Sequence, residues 1–124
     1  MTTASRAFPK TKRLLRRADF KRVYDRRLSV SDSRLIVYAA SNDRKENRVG
    51  LSVSRKFGGA VRRNRLRRLL REAYRLSRHR LPTGLDLIFI PRSATMPALA
   101  DLLERLPALV SKLAARLARD AEAS

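Results

Sequence analysis

Apolar residues recur along this chain with two different periods, and the switches between them divide it into elements. Over residues 17–27, Phe20, Val23 and Tyr24, followed by Leu28, recur three and four apart. That spacing places side chains on one face of a helix. Asp19 near its start complements the positive end of the helix dipole. Ser29–Ser33 reads as a turn, and residues 34–40 (RLIVYAA), β-branched and aromatic, predict a strand. After a charged loop at 41–48, residues 49–54 (VGLSVS) alternate strictly. Val49, Leu51 and Val53 share one face of that strand, while Gly50, Ser52 and Ser54 leave the other small and hydroxylated.

Gly58-Gly59 breaks the chain before a long helix over 60–80, with Leu66, Leu69, Leu70, Ala73 and Leu76 as its apolar stripe. Leu81–Gly84 ends it. Residues 86–90 (DLIFI) predict a third strand, stopped by Pro91. A last helix over 98–119 carries Leu99, Leu102, Leu103, Leu106, Val110, Leu113 and Leu117 as its stripe. Pro107 falls inside it and is expected to kink or split it, since an interior proline costs about 3 kcal/mol. The order is helix, strand, strand, helix, strand, helix: an α+β (α/β sandwich) class built around a small mixed sheet. The 124 residues fit a single domain, 1–124, with a basic N-terminal arm at 1–15 anchored by Phe8 and Leu14 and a disordered tail at 119–124.

Charge changes this picture most. Lys and Arg total 30 against 11 Asp and Glu, a formal net charge of +19. Such self-repulsion destabilises a compact state unless a polyanion is the partner. Of the 30 cations, 24 are Arg, the side chain that grips phosphate bidentately and stacks on bases. Hydrophobic residues at 44% are too many for a disordered basic tail. With no cysteine, a disulfide framework, a thiolate metal site and a Cys nucleophile are excluded. The lone histidine, His79, sits between Arg78 and Arg80 and reads as solvated. Asp19, Asp86, Asp101 and Glu104 form no close pair that would suggest a two-metal site. Ser52 and Ser54 have no evident base to activate them. The expectation is a protein with no catalytic residues, no bound metal and no cofactor of its own. No apolar run reaches the roughly 18 residues of a membrane span, and Met1 opens a polar stretch, so a cytoplasmic location is expected.

The cations concentrate in one place. Residues 55–80 hold eleven cations and one carboxylate, Glu72. On a helix, Asn64, Arg67, Arg68, Arg71, Arg75 and Arg78 fall opposite the leucines. Like charges at these spacings cost a few tenths of a kcal/mol per pair, and a merely solvated face would mix in Glu. Arginines at a helix N-terminus also oppose its dipole. They make sense where phosphate arrives, because guanidiniums and free backbone N–H groups then act together. On the first helix Phe20 and Tyr24 share a face, and Tyr38 lies on a neighbouring strand. Tyrosines beside a Gly- and Ser-lined face suggest a shallow groove in which single-stranded nucleic acid stacks between flanking cations. Phe57, Tyr74 and Phe89 read as core.

The segment 48–75, RVGLSVSRKFGGAVRRNRLRRLLREAYR, closely resembles the signature of the bacterial ribonuclease P protein subunit, including Arg63-Asn64-Arg65. Phe8-Pro9-Lys10, Arg13-Leu14, Asp19-Phe20, Val23-Tyr24 and Gly84-Leu85-Asp86 add to the resemblance, which runs over about 8–117. It implies the small protein component of a ribozyme that removes the 5′ leader of precursor tRNA, with magnesium ions held through the RNA subunit doing the hydrolysis. It also implies an RNA-binding fold like the second domain of a ribosomal small-subunit protein, with a left-handed βαβ crossover. Arg62, Arg63, Asn64, Arg65, Arg67, Arg68 and Arg71 would then contact the catalytic RNA. Phe20, Tyr24, Tyr38, Ser52, Ser54 and Lys56 would line the cleft for the precursor-tRNA leader. The implied partners are that RNA and precursor tRNA, with no membrane and no obligate protein partner. Three positions depart from the family pattern. Gly59 stands where Asn is usual, Pro91 replaces a small residue and is expected to shorten the third strand, and Pro107 has no usual counterpart. The competing readings are a ribosomal or other structural RNA-binding protein of the same fold and, from the last helix, a membrane-active cationic protein.

Overall fold

A computed structural model describes residues 13–14, 16–92 and 95–123. The Phe8-Pro9-Lys10 part of the expected arm lies outside the described residues. The elements are α1 (Arg17–Asp25), β1 (Ser29–Ser31), β2 (Leu35–Ser41), β3 (Arg48–Leu51), α2 (Ala60–Ser77), β4 (Leu85–Pro91) and α3 (Leu99–Ala123). The strands form one mixed sheet in the order β1-β2-β4-β3. β1–β2 and β2–β4 are antiparallel, whereas β3 and β4 run parallel and are joined through α2.

Strand register fixes the two faces of the sheet. Opposed residues in neighbouring strands point the same way. Ile36, Tyr38 and Ala40 of β2 therefore share a face with Ile90, Ile88 and Asp86 of β4, and these in turn with Gly50 and Arg48 of β3. The opposite face carries Leu35, Val37, Ala39, Val49, Leu85, Leu87 and Phe89, all buried with Leu66, Leu70, Ala73 and Tyr74 of α2 and Leu102, Leu106, Leu109, Val110 and Leu113 of α3. Two helices thus cover one face. On the other, α1 alone packs across one end, around Leu14, Val23, Ala40 and Ile88. The rest of that face stays open.

The structure departs from the sequence reading at several places. Residues 29–31, expected as a turn, form edge strand β1, and the turn lies just beyond them. There the Asp32 carboxylate accepts from the backbone N–H groups of Arg34 and Leu35 at 2.8 and 2.9 Å. Strand β3 stops at Leu51, not residue 54, although Ser52 N–H still donates to the Phe89 carbonyl at 3.1 Å. Pro91 does not shorten β4 but is its last residue, opposite Leu35. The Phe89 carbonyl turns toward β3, so Pro91, two residues on, turns its nitrogen the same way, past the end of β3 where no ladder bond is needed.

Nor does Pro107 split α3, which runs unbroken to Ala123 and takes in residues 119–123 of the expected tail. A proline at 107 leaves the Leu103 carbonyl, four residues earlier, without its helical donor. Arg80, from the short 3-10 turn that follows α2, donates to that carbonyl at 3.0 Å. Asp120 in the last turns of α3 pairs with Arg26 at 3.2 Å. The apolar stripe of α2 is rotated slightly from the expected one: Leu66, Leu70, Ala73, Tyr74 and Ser77 are buried, and Leu76 is exposed.

Candidate nucleic-acid interface

The open sheet face and the N-terminal half of α2 bring together most of the residues singled out from sequence. Phe20 and Tyr24, one turn apart on α1, have ring centroids 6.5 Å apart. Tyr24 meets Tyr38 of β2 edge-on at 5.0 Å. All three rings are half-buried, so each keeps surface for a ligand while its position is fixed by its neighbours. Phe20 can lie over β3 only because Gly50 has no side chain: a Cβ there would stand 2.5 Å from the Phe20 ring. The glycine in VGLSVS is thus a space reserved for an aromatic ring.

Further along the same face, Ser52, Ser54 and Lys56 line a cavity of about 310 Å³ with Ile36, Ile90, Pro91 and Arg92. Ile36 neighbours Tyr38 on β2, so cavity and aromatic row belong to one groove. It has stacking rings at one end and hydroxyls with two cations at the other. Lys56 also stands 5.7 Å from the ring centroid of buried Phe57. Sequence reasoning missed Ile36, Ile90 and Arg92. The period-2 alternation of β2 and β4 held the signal for the two isoleucines; Arg92 lies beyond β4, and nothing local marks it.

Helix α2 carries its arginines on two flanks. Arg67 and Arg71 are half-buried against the sheet, lining a cavity of about 90 Å³ with Arg13, Phe20 and Gly50. Burial, and then the charges of Arg13 and Arg67, push the Arg71 guanidinium below its usual value. Cations held together against mutual repulsion favour an incoming anion. Arg62, Asn64, Arg65 and Arg68 face outward and are exposed. Asn64 accepts from Arg67 at 2.8 Å, and Arg63 donates to the Gly58 carbonyl at 3.2 Å. Glu72 is taken by Arg75 at 2.7 Å, and the first turn has no acidic residue. Gly58, at φ +118°, makes the turn into α2. Gly59 occupies the N-cap position without a capping side chain.

A feature the sequence did not reveal holds α1 over the groove. The Asp86 carboxylate is fully buried at the α1 end of the open face. Arg48 donates to both its oxygens, at 2.9 and 2.7 Å. Asn42 adds a bond at 3.0 Å, and Arg22 of α1 donates to it as well. Arg22 also donates to the Ser41 carbonyl at 3.1 Å, and Arg48 lies 3.6 Å from Asp19 of α1. Burial pushes the Asp86 carboxyl up, but hydrogen bonds from Arg48 and Asn42 and the nearby positive charges outweigh it, leaving the carboxyl below its usual value. One buried carboxylate therefore joins α1, β3, β4 and the residue that follows β2.

Among the described residues, no three His, Asp or Glu side chains come together as a metal-binding group. His79 is exposed, as expected. No described helix is long and apolar enough to cross a membrane.

Against known proteins, the sequence profile of the family Ribonuclease P matches residues 8–114. The chain belongs to the ribonuclease P protein family. It is 42% identical over 86 residues to the ribonuclease P protein component of Alkaliphilus oremlandii, covering 69% of this chain and 75% of that one. To the component from Clostridioides difficile it is 41% identical over 92 residues, covering 73% and 81%. Among solved structures, the RNase P protein from Thermotoga maritima superposes with a TM-score of 0.74 at 31% identity, over 81% of this chain and 96% of that one. A Staphylococcus aureus RNase P protein gives 0.71 at 32% identity, over 85% and 96%. The resemblance first carried by residues 48–75 thus extends to the three-helix, four-stranded α+β fold.

Proposed function

We propose that this protein serves ribonuclease P as a non-catalytic subunit with two RNA-facing surfaces. The arginines of α2 dock on the catalytic RNA, and the open groove holds the 5′ leader of precursor tRNA. Hydrolysis belongs to the RNA subunit and its magnesium ions, and the protein's work is binding and placement in the cytoplasm. The observation that carries this reading is the continuity of the two surfaces. Arg67 and Arg71 border the same space as Phe20 and Gly50, so RNA along α2 comes directly beside the aromatic end of the groove. The groove's width of one sheet face and its row of half-buried rings suit single-stranded, unpaired nucleotides.

The test is equilibrium binding of precursor tRNA and of leaderless mature tRNA to the holoenzyme assembled with this protein. The groove predicts tighter binding of the precursor, with the preference lost when the protein is omitted. Equal affinities with and without the protein would contradict it.

A further inference from the structure

Only two large apolar side chains stand exposed among the described residues, Val61 at 85% and Leu76 at 38%. Val61 is the more exposed by far and lies in the first turn of α2, amid Arg62, Arg63 and Arg65. Folding gives no reason for it. The side chain belongs to neither hydrophobic cluster, and valine is a poorer helix former than alanine, lysine or glutamate, any of which would suit a solvated first turn at least as well.

The surroundings of Val61 supply a reason. With Gly59, Ala60 and Met96 it forms the apolar floor of an open cavity of about 460 Å³, and Arg62 and Arg65 stand at its rim. At Gly59 a Cβ would meet nothing within 4 Å, so that side of the cavity is clear. An apolar floor under a guanidinium rim fits a ligand that is flat and apolar in one part and anionic in the next. An unstacked RNA nucleotide is such a ligand: its base has apolar faces, and its phosphate lies one sugar away. An apolar peptide side chain would satisfy the floor but leave the rim facing no charge, in a turn that has no acid of its own.

We propose that this cavity receives an unstacked nucleotide of the catalytic RNA, with its base on Val61 and Met96 and its phosphate on Arg62 and Arg65. The inference rests on the reading that α2 docks on that RNA, and adds that the contact is partly apolar, with a defined seat for one base. The groove on the open sheet face is a separate surface.

Val61→Ala tests it, because the change removes apolar surface at an exposed position, keeps the charge and does not lower helix propensity. Affinity for the catalytic RNA subunit is measured across a range of salt concentrations for wild type, Val61→Ala, Met96→Ala and Arg65→Ala. Val61→Ala and Met96→Ala are expected to bind about threefold to tenfold more weakly at every salt concentration, the worth of one or two buried methyl groups. The slope of log affinity against log salt should not change. Arg65→Ala should flatten that slope by about one unit. Val61→Ile, which keeps the apolar surface, should restore wild-type affinity. Wild-type affinity in Val61→Ala overturns the proposal, as does failure of Val61→Ile to restore binding. If the wild-type protein itself binds the RNA weakly and without salt dependence, the docking role of α2 fails, and this inference with it.

Discussion

Single side chains divide between those that would touch RNA and those that hold them in place, and the two kinds predict different phenotypes. Tyr38 is fixed by its edge contact with Tyr24 and remains half-exposed on the groove. Tyr38→Ala is expected to weaken binding of leader-bearing precursor by about 1–3 kcal/mol, the range for one lost stacking partner. Affinity for the catalytic RNA should stay unchanged, and equal losses in both assays would instead give Tyr38 a core role. Asp86 is of the second kind. Asp86→Ala leaves Arg48 without its buried partner and is expected to cost on the order of 3 kcal/mol in urea unfolding. Because the folded protein holds the Asp86 carboxyl below its unfolded value of 3.8, its contribution is fully present above that pH. It disappears as pH falls through the unfolded and then the folded value. The acid limb of the stability profile should therefore flatten in Asp86→Ala, with no difference in pH dependence above about pH 6. Arg22 is the milder probe, being partly exposed. Arg22→Met should loosen α1 and reduce the leader preference, with a stability loss under about 1 kcal/mol.

Among the elements, those with a strong period were legible in the sequence and those fixed by partners were not. The patterns of Phe20, Val23 and Tyr24, of Leu66 and Leu70, and of Leu102, Leu106, Val110 and Leu113 place all three helices, because burial of one face is a property of the segment itself. Residues 29–31 carry only one apolar side chain, Val30, and become a strand because β2 offers them an edge. The continuity of α3 through Pro107 was hidden for a similar reason: the donor that satisfies Leu103 comes from Arg80, 23 residues away. Arg80→Ala should cost about 0.5–1.5 kcal/mol, seen as a lower thermal midpoint and faster amide exchange around 103–107. The candidate site splits the same way. The arginines of α2 were readable from charge density, and Tyr38 and Ser52 from strand alternation. The Asp86–Arg48–Arg22 tie joins residues far apart in sequence and needed the fold. At the start of α2, Gly59 has an extended backbone at φ −74°, open space around it and no capping side chain. Gly59→Asn should therefore stabilise the protein by a few tenths of a kcal/mol in thermal unfolding.

For the molecule as a whole, the net charge of +19 resolves into a directional arrangement. One face of the sheet is sealed by α2 and α3, the other is left as a groove, and the densest cations run along the helix at its border. In the proposed role, a protein of this design would add affinity and placement to an RNA enzyme. If it neutralises six to ten phosphates, affinity for the catalytic RNA should fall with salt at a log–log slope of about −5 to −9. The most direct test is reconstitution. The cognate ribonuclease P RNA is assayed for 5′ cleavage of precursor tRNA at low magnesium, with and without this protein, and the protein is assayed alone. Strong stimulation of cleavage by the protein is expected, with no cleavage by the protein alone and loss of much of the stimulation when the leader is shortened to a single nucleotide. Cleavage by the RNA that is indifferent to the protein, or cleavage by the protein without the RNA, would contradict the proposed role.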